Sequence, residues 1–198
     1  IVFPLLWIAS AFGPVVVAAL EVGRRVRDLL VSFDWGFSTA SSTLVGQELG
    51  AGDESAAVAY GGAIVRLSFV VHLLAGSVVF VAAPWVARPF VSEPAELTQT
   101  AAFVRVAAAT AVVAGVDGSL VGVLRGAGDT RWPFVATMVG QYGVALPVAV
   151  AGLTTPLGVV GLYGALFCGA AVPIGVNGWR YRTGRWKTVS RAYRPAGG

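Results

Sequence analysis

Charged residues are scarce in this sequence. Of its 198 residues, 12% are charged and 56% are hydrophobic, whereas about 25% of the residues of an ordinary soluble domain are charged. The core of a soluble domain cannot account for this balance. Apolar stretches close to the ~20 residues that cross a bilayer recur along the whole chain. The composition therefore excludes a typical soluble domain and predicts an all-α integral membrane protein.

Cysteine and histidine are almost absent, since Cys168 and His72 are the only residues of their types. A lone cysteine cannot form a disulfide within the chain, and one cysteine with one histidine does not make a metal site. We therefore predict no metal and no cofactor. We interpret Cys168 as a small packing residue and His72 as a hydrogen-bonded packing residue, with a proton relay as the alternative for His72.

The apolar runs predict about six membrane helices, of which the first is partial. Residues 1–12 are too short to span and are followed by Gly13 and Pro14, so we interpret them as the end of a helix that begins earlier. Because the chain also starts at Ile1 rather than at Met, we interpret it as truncated at its N-terminus. The full spans are predicted at residues 15–49, 56–86, 97–124, 130–153 and 159–179.

The basic residues predict the orientation of the chain. Six of the fourteen lie between Arg180 and Arg194, a segment without an acidic residue. A basic segment directly after an apolar helix is typical of the cytoplasmic face and is attracted to anionic lipid, so we expect no nucleic-acid partner. We divide this multi-pass cell-membrane protein into a transmembrane bundle, residues 1–179, and a basic cytoplasmic tail, residues 180–198. The loops at 50–55 and 125–131 are then cytoplasmic, and the loop at 88–96 is external.

The tetrapeptide Gly-Ala-Gly-Asp occurs twice, two predicted helices apart and therefore at the same membrane face. Glycine suits the end of a helix, and aspartate suits the N-cap of the next helix. We therefore expect two equivalent turns, with Asp53 or Ser55 as the N-cap after the first and Thr130 as the N-cap after the second, where Asp129 also suits the role. The residues concerned are Gly50, Gly52 and Asp53 in the first copy, and Gly126, Gly128 and Asp129, preceded by Arg125, in the second.

The sequence around these two turns is more specific than the turns themselves. Residues 37–53 read FSTASSTLVGQELGAGD, and residues 124–131 read LRGAGDTR and are followed by Pro133. Together they resemble two helix junctions in one lobe of the multidrug and toxin extrusion (MATE) family. Pro147 and Gly158 also fit the pattern, so the resemblance covers nearly the whole chain.

The resemblance implies a fold and a function. MATE transporters consist of two bundles of six helices, and the order of the landmarks implies that this chain is the C-terminal lobe, with the N-terminal lobe as its missing partner. The family expels small organic cations and toxins in exchange for H⁺ or Na⁺, the coupling ion. These properties are what the resemblance implies, and they require groups within the membrane that can bind cations.

Two carboxylates lie within predicted spans, where a charge is costly and tends to line a cavity or to pair. Asp117 is a candidate cation- or substrate-binding residue, with a hydrogen bond to a neighbouring helix as the alternative. In the sodium-coupled branch of the family the acidic residue of this helix falls at Ala114, one turn earlier. Asp34, beside aromatic residues, is the second candidate, with a polar seam of serines as the alternative. Three further residues either line the cavity or join helices by hydrogen bonds: Gln141, Tyr142 and Asn177.

Charged residues crowd the first half of the predicted span at 15–49. Their spacing favours two ion pairs four residues apart, Glu21 with Arg25 and Arg24 with Asp28. Because such a stripe would oppose insertion if it faced lipid, we expect it to be paired internally and to face the cavity between the two bundles.

The sequence is consistent with three functions. The leading hypothesis is secondary active efflux of drugs, toxins or other organic cations by proton- or sodium-coupled antiport, with this chain as one half of the transporter. A lipid-linked oligosaccharide flippase of the same superfamily is the alternative, since Arg24, Arg25 and Arg27 could face an anionic substrate. A non-transporting membrane subunit is the third, although it would need no carboxylates at depth. The sequence shows no pairing of nucleophile and base that would indicate an enzyme.

Overall fold

The apolar runs of the sequence fold as helices that pack side by side. A computed structural model describes residues 2–192, with the backbone alone for Val2. All of the regular secondary structure within this range is helical, as the composition predicts. In chain order the elements are α1 (Val2–Ser10), α2 (Pro14–Val31), α3 (Asp34–Ala51), α4 (Glu54–Ala87), a 3₁₀ turn (Arg88–Phe90), α5 (Pro94–Gly126), α6 (Arg131–Met138), a π-helical segment (Val139–Ala145), α7 (Leu146–Thr154), α8 (Val159–Arg182) and α9 (Arg185–Ala192).

Four helical segments between residues 2 and 192 are long and apolar enough to cross a membrane. They are Glu54–Phe90, Pro94–Gly126, Arg131–Thr154 and Val159–Arg182, and each agrees within a few residues with a predicted span. The charge-rich segment predicted at 15–49 is not among the four, because the charged residues of α2 lower its mean hydropathy.

The prediction of one continuous helix at residues 15–49 is wrong. The chain forms α2 and α3 instead, separated by Ser32 and Phe33. Both residues keep right-handed helical dihedrals, but the amide of Ser32 bonds the carbonyl three residues back, at Leu29, rather than four. The break is therefore a kink and not a reversal, and α2 and α3 both pack along α5.

The segment Arg131–Thr154 is helical throughout, but its hydrogen bonding changes along its length. Between α6 and α7, residues Val139–Ala145 form a π-helical segment. Pro147 lies just beyond it and has no N–H to donate to the preceding turn. Such wide turns redirect the side chains that follow them and are frequent at functional sites.

Helix α5 is the central element and packs against α2, α3, α4 and α8. Three of its glycines, four residues apart, lie against three residues of α3 with the same spacing. A methyl group at Gly118 would overlap the Asp34 carboxylate, and one at Gly122 would overlap the backbone carbonyl of Ser38. One at Gly126 would lie 2.6 Å from the carbonyl oxygen of Ser42. Small residues let helices approach closely in a membrane, and here they bring α3 into direct backbone contact with α5.

The two Gly-Ala-Gly-Asp turns have the same backbone structure, as predicted. Gly52 and Gly128 adopt left-handed φ values of 90° and 81°, which glycine reaches without strain. The amides of Asp53 and Asp129 each bond the carbonyl five residues back, at 2.9 and 2.8 Å. Such bonds satisfy carbonyls that a helix end leaves free.

The aspartates of the two turns differ in their side-chain partners. Asp53 caps α4, because its Oδ1 accepts a hydrogen bond from the amide of Ala56 at 2.9 Å. The prediction of a side-chain cap on α6 is wrong, because Thr130 forms no capping hydrogen bond and the Asp129 carboxylate instead accepts a hydrogen bond from Arg180 Nε at 2.7 Å. A cap requires only a local contact, but Asp129 has a partner on a distant helix.

Helix α9 packs on the same end of the bundle as both turns. Trp186 is buried there, with 1% of its surface exposed, in a cluster that includes Val45, Leu49 and Val123. Arg191 donates two hydrogen bonds to Glu54, of 2.6 and 2.8 Å. The two loops and the basic segment that were predicted to share one membrane face therefore lie together. The division of the chain at residue 179 stays a prediction, although α8 continues beyond it to Arg182.

Candidate cation and substrate cavity

A cavity of about 550 Å³ lies between α3, α5, α6 and α8. It contains both carboxylates that the sequence placed within spans, Asp34 and Asp117. Its charged and polar lining consists of Arg27, Asp34, Ser38, Asp117, Arg125, Thr130, Thr137 and Gln141. The lining therefore combines two carboxylates with two guanidinium groups, among them Arg125, which we had placed only in a loop motif.

The kink between α2 and α3, together with Gly118 of α5, determines the position of Asp34. It is the first residue of α3, directly after the break, and its carboxylate lies over Gly118 of α5. Its Oδ1 is buried and has no hydrogen-bond partner among the described residues. A buried acceptor without a partner is unfavourable unless a donor or cation reaches it, so Asp34 is not part of a satisfied polar seam, and its role as a binding residue stays a prediction.

Asp117 lies deeper in the bundle and is held by a neighbouring helix. Asn177 of α8 donates from Nδ2 to Asp117 Oδ1 at 2.9 Å, and its own Oδ1 is buried without a described partner. The hydrogen bond to a neighbouring helix is therefore present, and Asp117 also lines the cavity; its cation- or substrate-binding role stays a prediction. Ala114 lines the same cavity, so one helical turn separates two positions that face the same space.

Gln141 connects this cavity to a second one. It lies in the π-helical segment, where its Nε2 donates to the carbonyl of Gly169 at 3.2 Å, and it lines both cavities. The second cavity, of about 330 Å³, is also lined by Tyr142, Arg24 and Arg27. Of the five candidate binding residues, Asp34, Asp117 and Gln141 therefore meet in one cavity, Tyr142 lines its neighbour, and Asn177 supports Asp117 from α8.

Comparisons with known proteins identify the family. The MatE family model matches residues 3–151, which is most of the chain. The chain belongs to the MatE family. This match confirms the resemblance that the sequence around the two Gly-Ala-Gly-Asp turns indicated.

Three curated relatives show how much of a MatE protein this chain represents. It is 27% identical over 169 residues to a probable multidrug resistance protein NorM of Rhodopseudomonas palustris, covering 83% of this chain and 36% of the relative. It is 26% identical to multidrug and toxin extrusion protein 1 of Xenopus tropicalis, and the match covers 85% of this chain and 30% of the relative. It is 28% identical to the human protein of that name, and the match covers 82% of this chain and 29% of the relative. The chain thus spans about a third of the length of these MatE relatives.

A solved structure shares the fold. The crystal structure of the eukaryotic MATE transporter AtDTX14 matches with a TM-score of 0.80 at 21% identity, covering 89% of this chain and 40% of that protein. The all-α membrane-lobe fold predicted from the sequence is thereby confirmed.

The predicted charge pairing of α2 in this MatE chain is wrong in detail. Arg24 pairs with Glu21 at 2.7 Å, three residues away, and not with Asp28. Asp28 lies near Arg27 at 3.8 Å. Both i,i+3 and i,i+4 neighbours meet on a helix, so the spacing alone did not select the partner. Arg24 lines the second cavity, whereas Arg25 and Asp28 are exposed. The orientation of the four residues toward a cavity between two bundles stays a prediction.

Two contributors to the MatE cavity were missed as site residues. Arg27 lines both cavities and lies seven residues, or two helical turns, before Asp34; that spacing was a usable signal. Gly118 creates the space that Asp34 occupies, and its signal was the recurrence of glycine every four residues. No group of three His, Cys, Asp or Glu side chains that could hold a metal ion occurs among residues 2–192.

Proposed function

We propose that this chain is the C-terminal lobe of a transporter that exports drugs, toxins or other small organic cations across the cell membrane. Transport proceeds by alternating access in exchange for H⁺ or Na⁺, with a second lobe as the partner. The observation that carries the proposal is the meeting of Asp34 and Asp117 in one intramembrane cavity. The names of the relatives, which are multidrug resistance and toxin extrusion proteins, support it.

The cavity has the chemistry that an organic cation requires. A carboxylate within a membrane is costly unless it meets a positive charge; Asp34 lines the cavity, and its Oδ1 has no described hydrogen-bond partner. The aromatic rings of Trp35 and Phe134 also line the cavity, and such rings attract cations through their faces. Charge attraction and cation–π contact together accept many organic cations without requiring one shape.

Coupling follows if the same carboxylates receive the coupling ion. A proton or Na⁺ on Asp117 removes the negative charge that attracts the substrate, so ion and substrate exclude one another. The hydrogen bond from Asn177 holds one oxygen of Asp117 in place. Release of substrate on the outer side and of the ion on the inner side then gives antiport.

Two arginines that line the cavity of about 330 Å³ support the lipid-linked oligosaccharide flippase as a second candidate function. Arg24 and Arg27 both line that cavity, and guanidinium groups bind phosphate. However, Arg24 is already paired with Glu21, and Arg25 is exposed. The positive charge available to an anionic lipid pyrophosphate is therefore smaller than the sequence suggested, which favours cationic substrates. A non-transporting subunit would not need Asp34 and Asp117 in a shared cavity.

Binding of tetraphenylphosphonium to the purified chain tests the proposal. We expect Asp34→Asn and Asp117→Asn each to weaken binding by roughly tenfold, since each removes one charge-assisted contact. Glu93→Gln is the control, because it removes a carboxylate charge from an exposed position that lines neither cavity and should leave binding unchanged. Equal binding by the wild type and both cavity variants would refute the site, and tighter binding of an anionic pyrophosphate analogue would favour the flippase.

A further inference from the structure

A third cavity lies on the other side of the contact between α5 and α8. It is a groove of about 670 Å³ between α4, α5 and α8, and it shares no residue with the cavity that contains Asp34 and Asp117. Its deeper part is apolar and is lined by Val116, Leu120 and Ile174. Neither the proposed transport nor the turn motifs use this groove.

Glycines shape the floor of the groove. A methyl group added at Gly175 would meet no atom within 4 Å, and one added at Gly178 would only touch Leu120 at 3.9 Å. These glycines therefore do not serve close helix packing, unlike Gly122, where an added methyl group would overlap α3. They leave open space along this face of α8.

Two arginines lie at one end of the groove. Arg66 of α4 and Arg182 of α8 both line it and are both exposed. The groove lining contains no carboxylate, and neither arginine forms an ion pair with a described acidic residue. The mouth of the groove thus carries positive charge that the described part of the chain does not neutralise.

Arg66 lies at the start of a charge-free stretch of α4 that runs from residue 67 to residue 87, and large exposed apolar side chains recur along it from Leu67 to Trp85. A long basic side chain beside such a stretch keeps its stem in the apolar region and extends its charged group toward the lipid headgroups. Trp179, an aromatic residue of the type enriched at the interface, also lines the groove.

We propose that the α4–α8 groove binds an anionic phospholipid, with the phosphate between Arg66 and Arg182 and an acyl chain along Gly175 and Gly178. Basic pockets between membrane helices attract anionic headgroups, and guanidinium groups suit phosphate geometry. The lipid comes from the leaflet that faces the two Gly-Ala-Gly-Asp turns and α9. The site is separate from the transport cavity and does not depend on the substrate.

Native mass spectrometry of purified residues 1–198 in mixed micelles with equal amounts of phosphatidylglycerol and phosphatidylcholine tests the site. The wild type should retain phosphatidylglycerol preferentially. Arg66→Gln combined with Arg182→Gln should lower that preference roughly tenfold or more, since each arginine near the surface contributes to attraction. Arg88→Gln combined with Arg131→Gln removes the same charge outside the groove and should leave the preference unchanged.

A separate variant tests the proposed position of the acyl chain. A Cβ at Gly175 would meet no atom within 4 Å, so we expect Gly175→Leu to fold normally, to occupy part of the groove and to retain less of both lipids. Gly36→Leu, at another open position on α3, is the control. An unchanged preference in the Arg66 and Arg182 variant, or an equal loss in the Arg88 and Arg131 control, would overturn the proposal. So would a dimer that Gly175→Leu converts to a monomer, because the groove would then bind a second copy of the chain.

Discussion

Arg180 and Asp129 form a buried ion pair, with Nε and Oδ2 2.7 Å apart and side-chain exposures of 11% and 5%. The guanidinium group of Arg180 also lies over the ring of Trp132, 5.3 Å from its centre. The pair joins the turn between α5 and α6 to the end of α8. It gives the second Gly-Ala-Gly-Asp turn a tertiary contact that Asp53, a local cap, does not provide.

The same substitution in the two turns should therefore have different effects. Asp129→Asn leaves Arg180 buried without its countercharge, which costs about 3 kcal/mol for pairs of this kind. Asp53→Asn keeps a side chain that caps helices well, so we expect a loss of a few tenths of a kcal/mol. The midpoint of thermal unfolding of the purified chain in one detergent measures both. Equal shifts would show that the ion pair contributes little.

The turns and most spans could be predicted because their causes are local. A long apolar run is enough to predict α4, α5 or α8, and a Gly-Asp pair after a helix is enough to predict a left-handed turn, although only Asp53 of the two aspartates also caps the next helix. The kink at Ser32 and Phe33 was not predictable in this way, because neither proline nor glycine occurs there. It depends on how α2 and α3 each pack on α5.

The cavity was predictable only in part. The depth of Asp34 and Asp117 in the sequence identified them as candidates, because buried charge is rare and costly. Their meeting in one cavity depends on the approach of α3 to α5 and on Asn177 of α8, which lies 60 residues from Asp117. Similarly, the partner of Asp129 is 51 residues away, so no pattern around Asp129 could reveal it.

The glycines of α5 should differ from glycines in open positions. Gly122→Ala would overlap the backbone carbonyl of Ser38, which cannot move without shifting α3, so we expect a destabilisation of about 2 kcal/mol. Gly36→Ala meets no atom within 4 Å and should stabilise α3 by up to about 1 kcal/mol. Thermal unfolding distinguishes the two.

Gly118→Ala gives a functional counterpart to these variants. The added methyl group overlaps the Asp34 carboxylate, which is a side chain and can turn away. We therefore expect the fold to survive while tetraphenylphosphonium binding falls several-fold. If binding stays at the wild-type level, Asp34 does not bind the cation from the position over Gly118.

Labelling of single cysteines tests the proposed orientation. Ser92 lies before α5 and Thr183 follows α8, and both are exposed. We expect Ser92→Cys, in a Cys168→Ser background, to react with an impermeant maleimide added to intact cells. Thr183→Cys in the same background should react only after the cells are opened, because the basic segment around it favours the cytoplasmic face. Reaction of Thr183→Cys in intact cells would reverse the topology.

Transport should require a second lobe, although residues 1–198 alone should insert into the membrane. Alternating access in transporters built from repeats works by movement of one bundle against the other around a shared site, and the cavity with Asp34 and Asp117 lies within a single bundle. The exposed charges of α2, Arg25 and Asp28, also need a polar or protein neighbour rather than lipid. We therefore expect ethidium efflux from pump-deficient cells when the chain is expressed with its partner lobe, and none from the chain alone at equal abundance in the membrane. Asp117→Asn in the two-lobe protein should reduce efflux without reducing that abundance. Efflux by residues 1–198 alone, at a rate comparable with the two-lobe protein, would show that this chain forms a working transport pathway by itself.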